Sequence, residues 1–260
     1  MSGLWAAFEA ECRKVEKSRM LWLSIGAAIF MAVMIGFMVY IANNPDLSAK
    51  MGLMGSKSSI LKDVSWPGYL TVIVEMIAAL GLVGFGFVVA WIFGREYSDR
   101  TVKDLLALPI PRWTIVFAKL AVAVVWSALL ALVLLAAALA MGMLVGLPGW
   151  SEGIVYTSVY AYAVTVLMTI LLCTPVAFFA SYGRGYLPPI GFVVLTMIIG
   201  QFVVALNLGP YYPWAVPMLY GVAMTTGSAM PGIVSYVILA VTSLIGLIAA
   251  LAWWRYADQF

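Results

Sequence analysis

The chain of 260 residues is 65% hydrophobic and 10% charged, with a mean hydropathy of +1.06 and a formal net charge of +3, whereas soluble domains hold roughly 45–50% apolar residues. A water-soluble fold is excluded; the expectation is an all-α integral membrane protein, in which the placement of Lys and Arg matters more than their sum. There is no His, and the two Cys, Cys12 and Cys173, fall at different expected depths. The commonest general base is therefore missing, and neither a metal site nor a disulfide is expected.

Residues 2–19 place Leu4, Trp5, Phe8, Cys12 and Val15 along one helical face. Glu9, Glu11, Arg13, Lys14, Glu16 and Lys17 fall largely on the other, the pattern of a helix lying in the membrane interface. The uncharged run 20–42 can cross about 30 Å of hydrocarbon, is too long for a signal-peptide core, and is expected to stay as span one. A polar, turn-rich stretch, 43–67, reads as the first external loop. Span two, 68–93, carries Glu75 and the small residues Gly81, Gly84 and Gly86, which permit close helix approach.

Span three, 113–146, is apolar for about 33 residues, or some 50 Å, and is expected to protrude from the bilayer. Its Gly142-x-x-x-Gly146 pattern fits a subunit contact or packing within the monomer equally well. In span four, 154–180, Pro175 predicts a kink near the inner end. Span five is 188–206. Residues 207–231, broken by Pro210, Pro213 and Pro217, are too interrupted to cross and are expected to dip into the outer surface or lie on it. Span six is 232–254, and residues 1–260 read as one transmembrane domain.

Eleven of the Lys and Arg residues fall on one side of this layout, whereas Lys50, Lys57 and Lys62 fall on the other. The richer side is expected to be cytoplasmic, which puts both termini and the run from Gly94 to Lys119 in the cytosol, with the chain a multi-pass protein of the cell (plasma) membrane. Trp22, Trp91, Trp113, Trp253 and Trp254 near inner ends, and Trp66, Trp150 and Trp214 near outer ones, read as aromatic belts, with Trp126 buried mid-span.

The long charged run between spans two and three, GREYSDRTVKDLLALPIPRWTIVFAK from Gly94 to Lys119, is the part of the chain that faces water on that side. Ser98 and Thr101 are credible N-caps, and Thr101-x-x-Asp104 has capping-box spacing. Val102, Leu105 and Leu106 fall at i, i+3 and i+4 before Pro109. The spacing predicts a short amphipathic helix, marginal alone, whose apolar stripe packs on the chain's own helix ends or on another subunit.

Catalytic motifs are weak. Gly52-Leu-Met-Gly55-Ser-Lys57-Ser58 has the wrong spacing for a phosphate-binding loop and sits in the external loop. Without His, a nucleophile would have only scattered carboxylates and lysines as base. Glu75 is the one acid well inside a span; it serves either a transport path or a hydrogen bond between helices. Gln201 and Asn207 are polar candidates for the same path, or helix-packing groups. A stand-alone ion-coupled carrier or channel using Glu75 is the alternative reading of the whole chain. No nucleic acid is expected as a partner.

The stretch Arg95 to Arg112 with Lys119, read as acid, Thr, Leu-Leu, Pro and Arg, then Lys, resembles the membrane subunits of ABC exporters of the ABC-2 type. That permease family includes bacitracin-resistance and sodium-efflux systems. Phe8, Glu11, Lys14, Lys17, Ser18 and Arg19 resemble the family's interfacial elbow helix, and the six-span layout with its Pro-rich segment is similar as well. Ile110-Pro111-Arg112 departs from relatives, which often have Ser before the Arg.

The resemblance implies a homodimer that pairs with a separate cytosolic ABC ATPase, which binds ATP and Mg. The loop helix would be the coupling helix, with Val102, Leu105 and Leu106 as its apolar contact. Glu96, Arg100, Lys103, Asp104 and Arg112, beside the cap Thr101, would set its orientation as rim charges. The implied activity is export of a hydrophobic or amphipathic substrate, such as a drug, a peptide antibiotic or a lipid, with no catalytic site in this chain.

Overall fold

The computed structural model describes residues 2–44, 64–107 and 109–256, without the side chains of Ser2 and Leu106. Most of the expected external loop, including Lys50, Lys57, Lys62 and the Gly52–Ser58 stretch, lies outside the described residues, as does Leu108.

Ten α-helices are present among the described residues, and no strand. They are α1 (Ser2–Glu16), α2 (Arg19–Ala42), α3 (Trp66–Ser98), α4 (Val102–Leu106), α5 (Arg112–Val145), α6 (Glu152–Leu171), α7 (Thr174–Tyr182), α8 (Leu187–Ala205), α9 (Val216–Thr226) and α10 (Ile233–Tyr256). Two 3₁₀ turns, Gly209–Tyr211 and Pro213–Ala215, precede α9. Six helical stretches are long and apolar enough to cross a membrane, the fourth being α6 and α7 together.

Local chemistry sets the boundaries. Ser18 accepts a hydrogen bond from the Met20 amide at 3.0 Å and so starts α2. Pro67 sits in the first turn of α3, where no amide donor is needed. Gly146, at φ 71°, ends α5 in the left-handed conformation. Span four breaks between Leu171 and Thr174, and Pro175 lies in the first turn of α7. The predicted kink is thus a helix stop and restart.

α3 is the central column. It packs on α5, α6, α7, α8 and α9, and half or more of its membrane window is buried inside the chain. Two tyrosines satisfy their hydroxyls within this apolar core: Tyr69 donates to the Ala138 carbonyl at 2.7 Å and Tyr162 to the Ala131 carbonyl at 2.8 Å. On the far side, α10 lies along α7, where Thr174 donates to the Ser243 carbonyl at 2.6 Å and the Trp254 indole donates to Ser181 at 2.9 Å.

Gly142 packs inside the monomer, because a Cβ there would stand 2.7 Å from the Trp66 ring. Gly146 is the helix cap described above, so the Gly-x-x-x-Gly pattern has two separate local causes. Of Gly81, Gly84 and Gly86 in α3, Gly86 makes the close helix contact, against Val193 of α8. The aromatic belts need correction. Trp22, Trp113 and Trp150 are exposed, but Trp66, Trp91 and Trp254 are buried core residues, like Trp126. A buried indole is tolerated where its N–H finds an acceptor, as Trp254 does in Ser181.

α9 has 11 residues, about 16 Å of helix and half of what a crossing needs. It is wedged between α3 and α6, with Gly221 set over Val74 and Thr165.

A Cβ on Gly246 of α10 would lie 2.4 Å from the backbone nitrogen of Pro175, which cannot yield as a side chain can. Gly246→Leu is expected to push α10 off α7 and cost about 1–3 kcal/mol, seen as a lower Tm in detergent. Gly26→Leu, with nothing within 4 Å of its Cβ, is expected to leave Tm unchanged.

Candidate functional site

One end of the bundle gathers the charge. The apolar stripe of α1 runs through positions 8, 11, 12 and 15, at helical spacing, so Glu11 falls on the face that packs against the protein and not on the solvent face expected for it. α3 continues past its apolar stretch and carries Glu96 to the same place, and α5 brings Lys119 from its second turn.

Four side chains from these three helices form a closed network. The Lys119 ammonium, 0% exposed, donates to Glu11 Oε2 at 3.0 Å, Glu96 Oε1 at 3.0 Å and the Ile92 carbonyl at 3.2 Å. Three donors meet three acceptors. Lys14 adds contacts of 2.7 Å to Glu11 and 2.8 Å to Glu96. Burial works against the charged form of Lys14, but the carboxylates of Glu11 and Glu96 outweigh it and raise its pKa above the ordinary lysine value. Its contribution to stability is therefore complete below the unfolded lysine pKa and is lost only as pH climbs through the raised folded value.

The network extends into the loop. The Thr101 hydroxyl donates to Glu96 Oε2 and the Thr101 amide to the Glu96 carbonyl at 2.9 Å. Thr101 does precede α4, but its side chain makes no helix cap. The capping box with Asp104 does not form, because the hydroxyl it needs is held by Glu96. Arg100 turns the chain there with a left-handed φ of 59°.

The expected site residues now sort by environment. Glu96 is 3% exposed and is a buried hub, not a rim charge. Val102, at 5%, faces the chain's own body, and Leu105 packs partly against the same core. A free apolar stripe for another subunit is not what Val102 and Leu105 provide; α4 is too short to stand without them. Arg100, Lys103 and Asp104 are exposed. Arg112 is exposed but engaged: its guanidinium donates to the carbonyls of Trp254 at 3.3 Å and Arg255 at 3.2 Å. It thus places a cation at the C-terminal end of α10.

The polar candidates for a path are not brought into one cluster. Gln201 is exposed on α8 and lines a cleft of about 120 Å³ with Ala78, Ala79, Tyr212 and Trp214. Glu75 is half-buried on α3, one turn from that cleft, and makes no hydrogen bond or ion pair among the described residues. Asn207 lies just past α8 with a left-handed φ of 59°, a helix-ending position that favours Asn. Among the described residues no group of three or more Cys, Asp or Glu gathers to hold a metal.

Glu11, Lys14 and Lys119 carry the network, and sequence reasoning gave none of them that role. A signal existed: Glu11 interrupts the apolar stripe of α1, and Lys119 interrupts the apolar run of α5. Lys119→Met is expected to cost about 3–5 kcal/mol, because two buried carboxylates are then left to share the single, part-exposed cation of Lys14. Adding Glu11→Gln should recover part of that loss, and thermal unfolding of the purified chain measures both.

Residues 7–203, from α1 into α8, match the family described as ABC-2 family transporter protein. Over 183 residues, 70% of this chain and 88% of the other, the chain is 22% identical to the bacitracin transport permease protein BCRB of Bacillus licheniformis. The matched segment contains every member of the charged network. An all-helical chain with six helices able to cross a membrane, matched over most of its length, is a member of the ABC-2 family of transporter membrane subunits.

Proposed function

We propose that the chain is the membrane half of an ATP-driven exporter, in which two copies pair in the plasma membrane and each presents α4 to a separate cytosolic ABC ATPase. ATP and Mg²⁺ belong to that partner. Both termini and α4 face the cytosol in this reading, at the end that carries most of the cations. α1 acts as the interfacial elbow and α9 as a re-entrant helix.

The observation that carries the reading is the connection of α4 to the spans. Through Thr101 and Glu96 it is joined to Lys119 of α5 and Glu11 of α1, so a push on α4 acts on two spans and the interfacial helix together. Because Val102 and Leu105 face inward, the docking contact rests on Arg100, Lys103 and Asp104, which form a charged rim. The substrate class is hydrophobic or amphipathic, and the bacitracin transport permease among its relatives favours a peptide antibiotic over a drug or a lipid.

Reversing two of these charges, Lys103→Glu with Asp104→Lys, is expected to cut ATPase co-purification at least about ten-fold without changing Tm; undiminished association removes α4 from the interface. In the same system Glu75→Gln is expected to change transport and its pH profile. An unchanged profile takes Glu75 out of the substrate path and with it the ion-coupled alternative.

A further inference from the structure

α2 and α3 each pack along α5, and between them lies an open groove of about 390 Å³ floored by Leu130 and Leu134 of α5. The hollow has a cause in the sequence: at Ala27, Ala28, Gly81 and Gly84 the lining is a methyl group or less. Its one polar side chain, Ser24, is already engaged, donating to the Leu21 carbonyl at 2.8 Å and accepting from the Trp126 indole at 3.1 Å. Nothing in the wall offers a hydrogen bond to a polar guest, so the guest must be a hydrocarbon.

Along α2 the groove runs from Met20 to Met31, about 16 Å of helix, which matches the roughly 15 Å depth of one leaflet's hydrocarbon. At its Met20 end stand Lys17 and Arg19, both exposed and neither in an ion pair among the described residues. Arg13 and Lys14, a turn earlier, are both paired. Arg19 and Leu23, four residues apart on α2, share a face, and Leu23 lines the groove. An apolar trough one leaflet deep, with uncommitted cations at its interfacial mouth, is complementary to one kind of molecule.

We propose that the groove between α2, α3 and α5 binds the acyl chain of an anionic phospholipid whose phosphate is held by Arg19 and Lys17. The site needs neither the ATPase nor a direction of transport, so it stands apart from the exporter reading.

The test uses the full chain in detergent, titrated with phosphatidylglycerol or with phosphatidylcholine of identical acyl chains. Lipid adducts are counted by native mass spectrometry and Tm is followed in parallel. Wild type should retain phosphatidylglycerol about thirty-fold more strongly, since each of the two basic residues near an anionic headgroup contributes on the order of 1 kcal/mol. Lys17→Gln with Arg19→Gln should erase the headgroup preference. Gly84→Phe should abolish retention of both lipids, because a Cβ there meets nothing within 4 Å and the ring fills open groove. Gly26→Phe, equally unobstructed but outside the groove, should behave as wild type. Equal retention of the two lipids by wild type, an unchanged preference in the double variant, or a Gly84→Phe chain that still holds lipid would each overturn the proposal. So would Gly84→Phe altering the oligomeric state in place of lipid retention, which would make the groove a subunit contact.

Discussion

An ammonium with no access to solvent, Lys119, holds the charged end of this protein together. Taking it out of water is costly, and Coulomb attraction alone does not recover the cost unless every donor is matched and the counter-charges are themselves held. Here both conditions are met within one contact shell: two carboxylates and a main-chain carbonyl take the three N–H groups, and Lys14 and Thr101 take up what the carboxylates have left. The network is neutral overall, two acids against two lysines, which suits a location at the edge of hydrocarbon.

The short loop helix depends on that arrangement. Five residues form barely more than one turn, and α4 lacks a side-chain cap; by itself such a segment would not be helical. It keeps its shape because Glu96 fixes the residue in front of it and because Val102 is inserted into the body of the protein. The segment that resembles the family most in sequence is thus positioned by residues from three other elements. Arg112, at the first turn of α5, ties α10 into the same end of the bundle through the last carbonyls of that helix.

What could be read in the residues was what depends on sums. Hydropathy over twenty-odd positions adds up to a span whatever it packs against, so the six crossings, the interrupted segment after α8 and the all-helical class were legible. Pairing is not a sum. Glu11 and Lys119 are 108 positions apart, and no window contains both; each looks like an isolated flaw in an apolar pattern until the other is found. The same limit explains the tryptophans: an indole near the end of a span reads as interfacial, and only the location of Ser181 reveals that Trp254 has an internal acceptor. The stripe of Val102 and Leu105 fits the chain's own body or a partner equally, because a helical stripe has no sign; the neighbouring elements decide, and they bury Val102.

The separation between α1 and Lys119 also bears on the order in which the protein is assembled. A ribosome delivers Glu11 and Lys14 more than a hundred residues before the third crossing supplies the cation that completes their site. Before α3 and α5 arrive, the first helix has only its own neighbours as counter-ions, Glu9 with Arg13 and Glu11 with Lys14. A segment made early is therefore among the last to be seated, and its docking closes the charged end only after α2, α3 and α5 are in place.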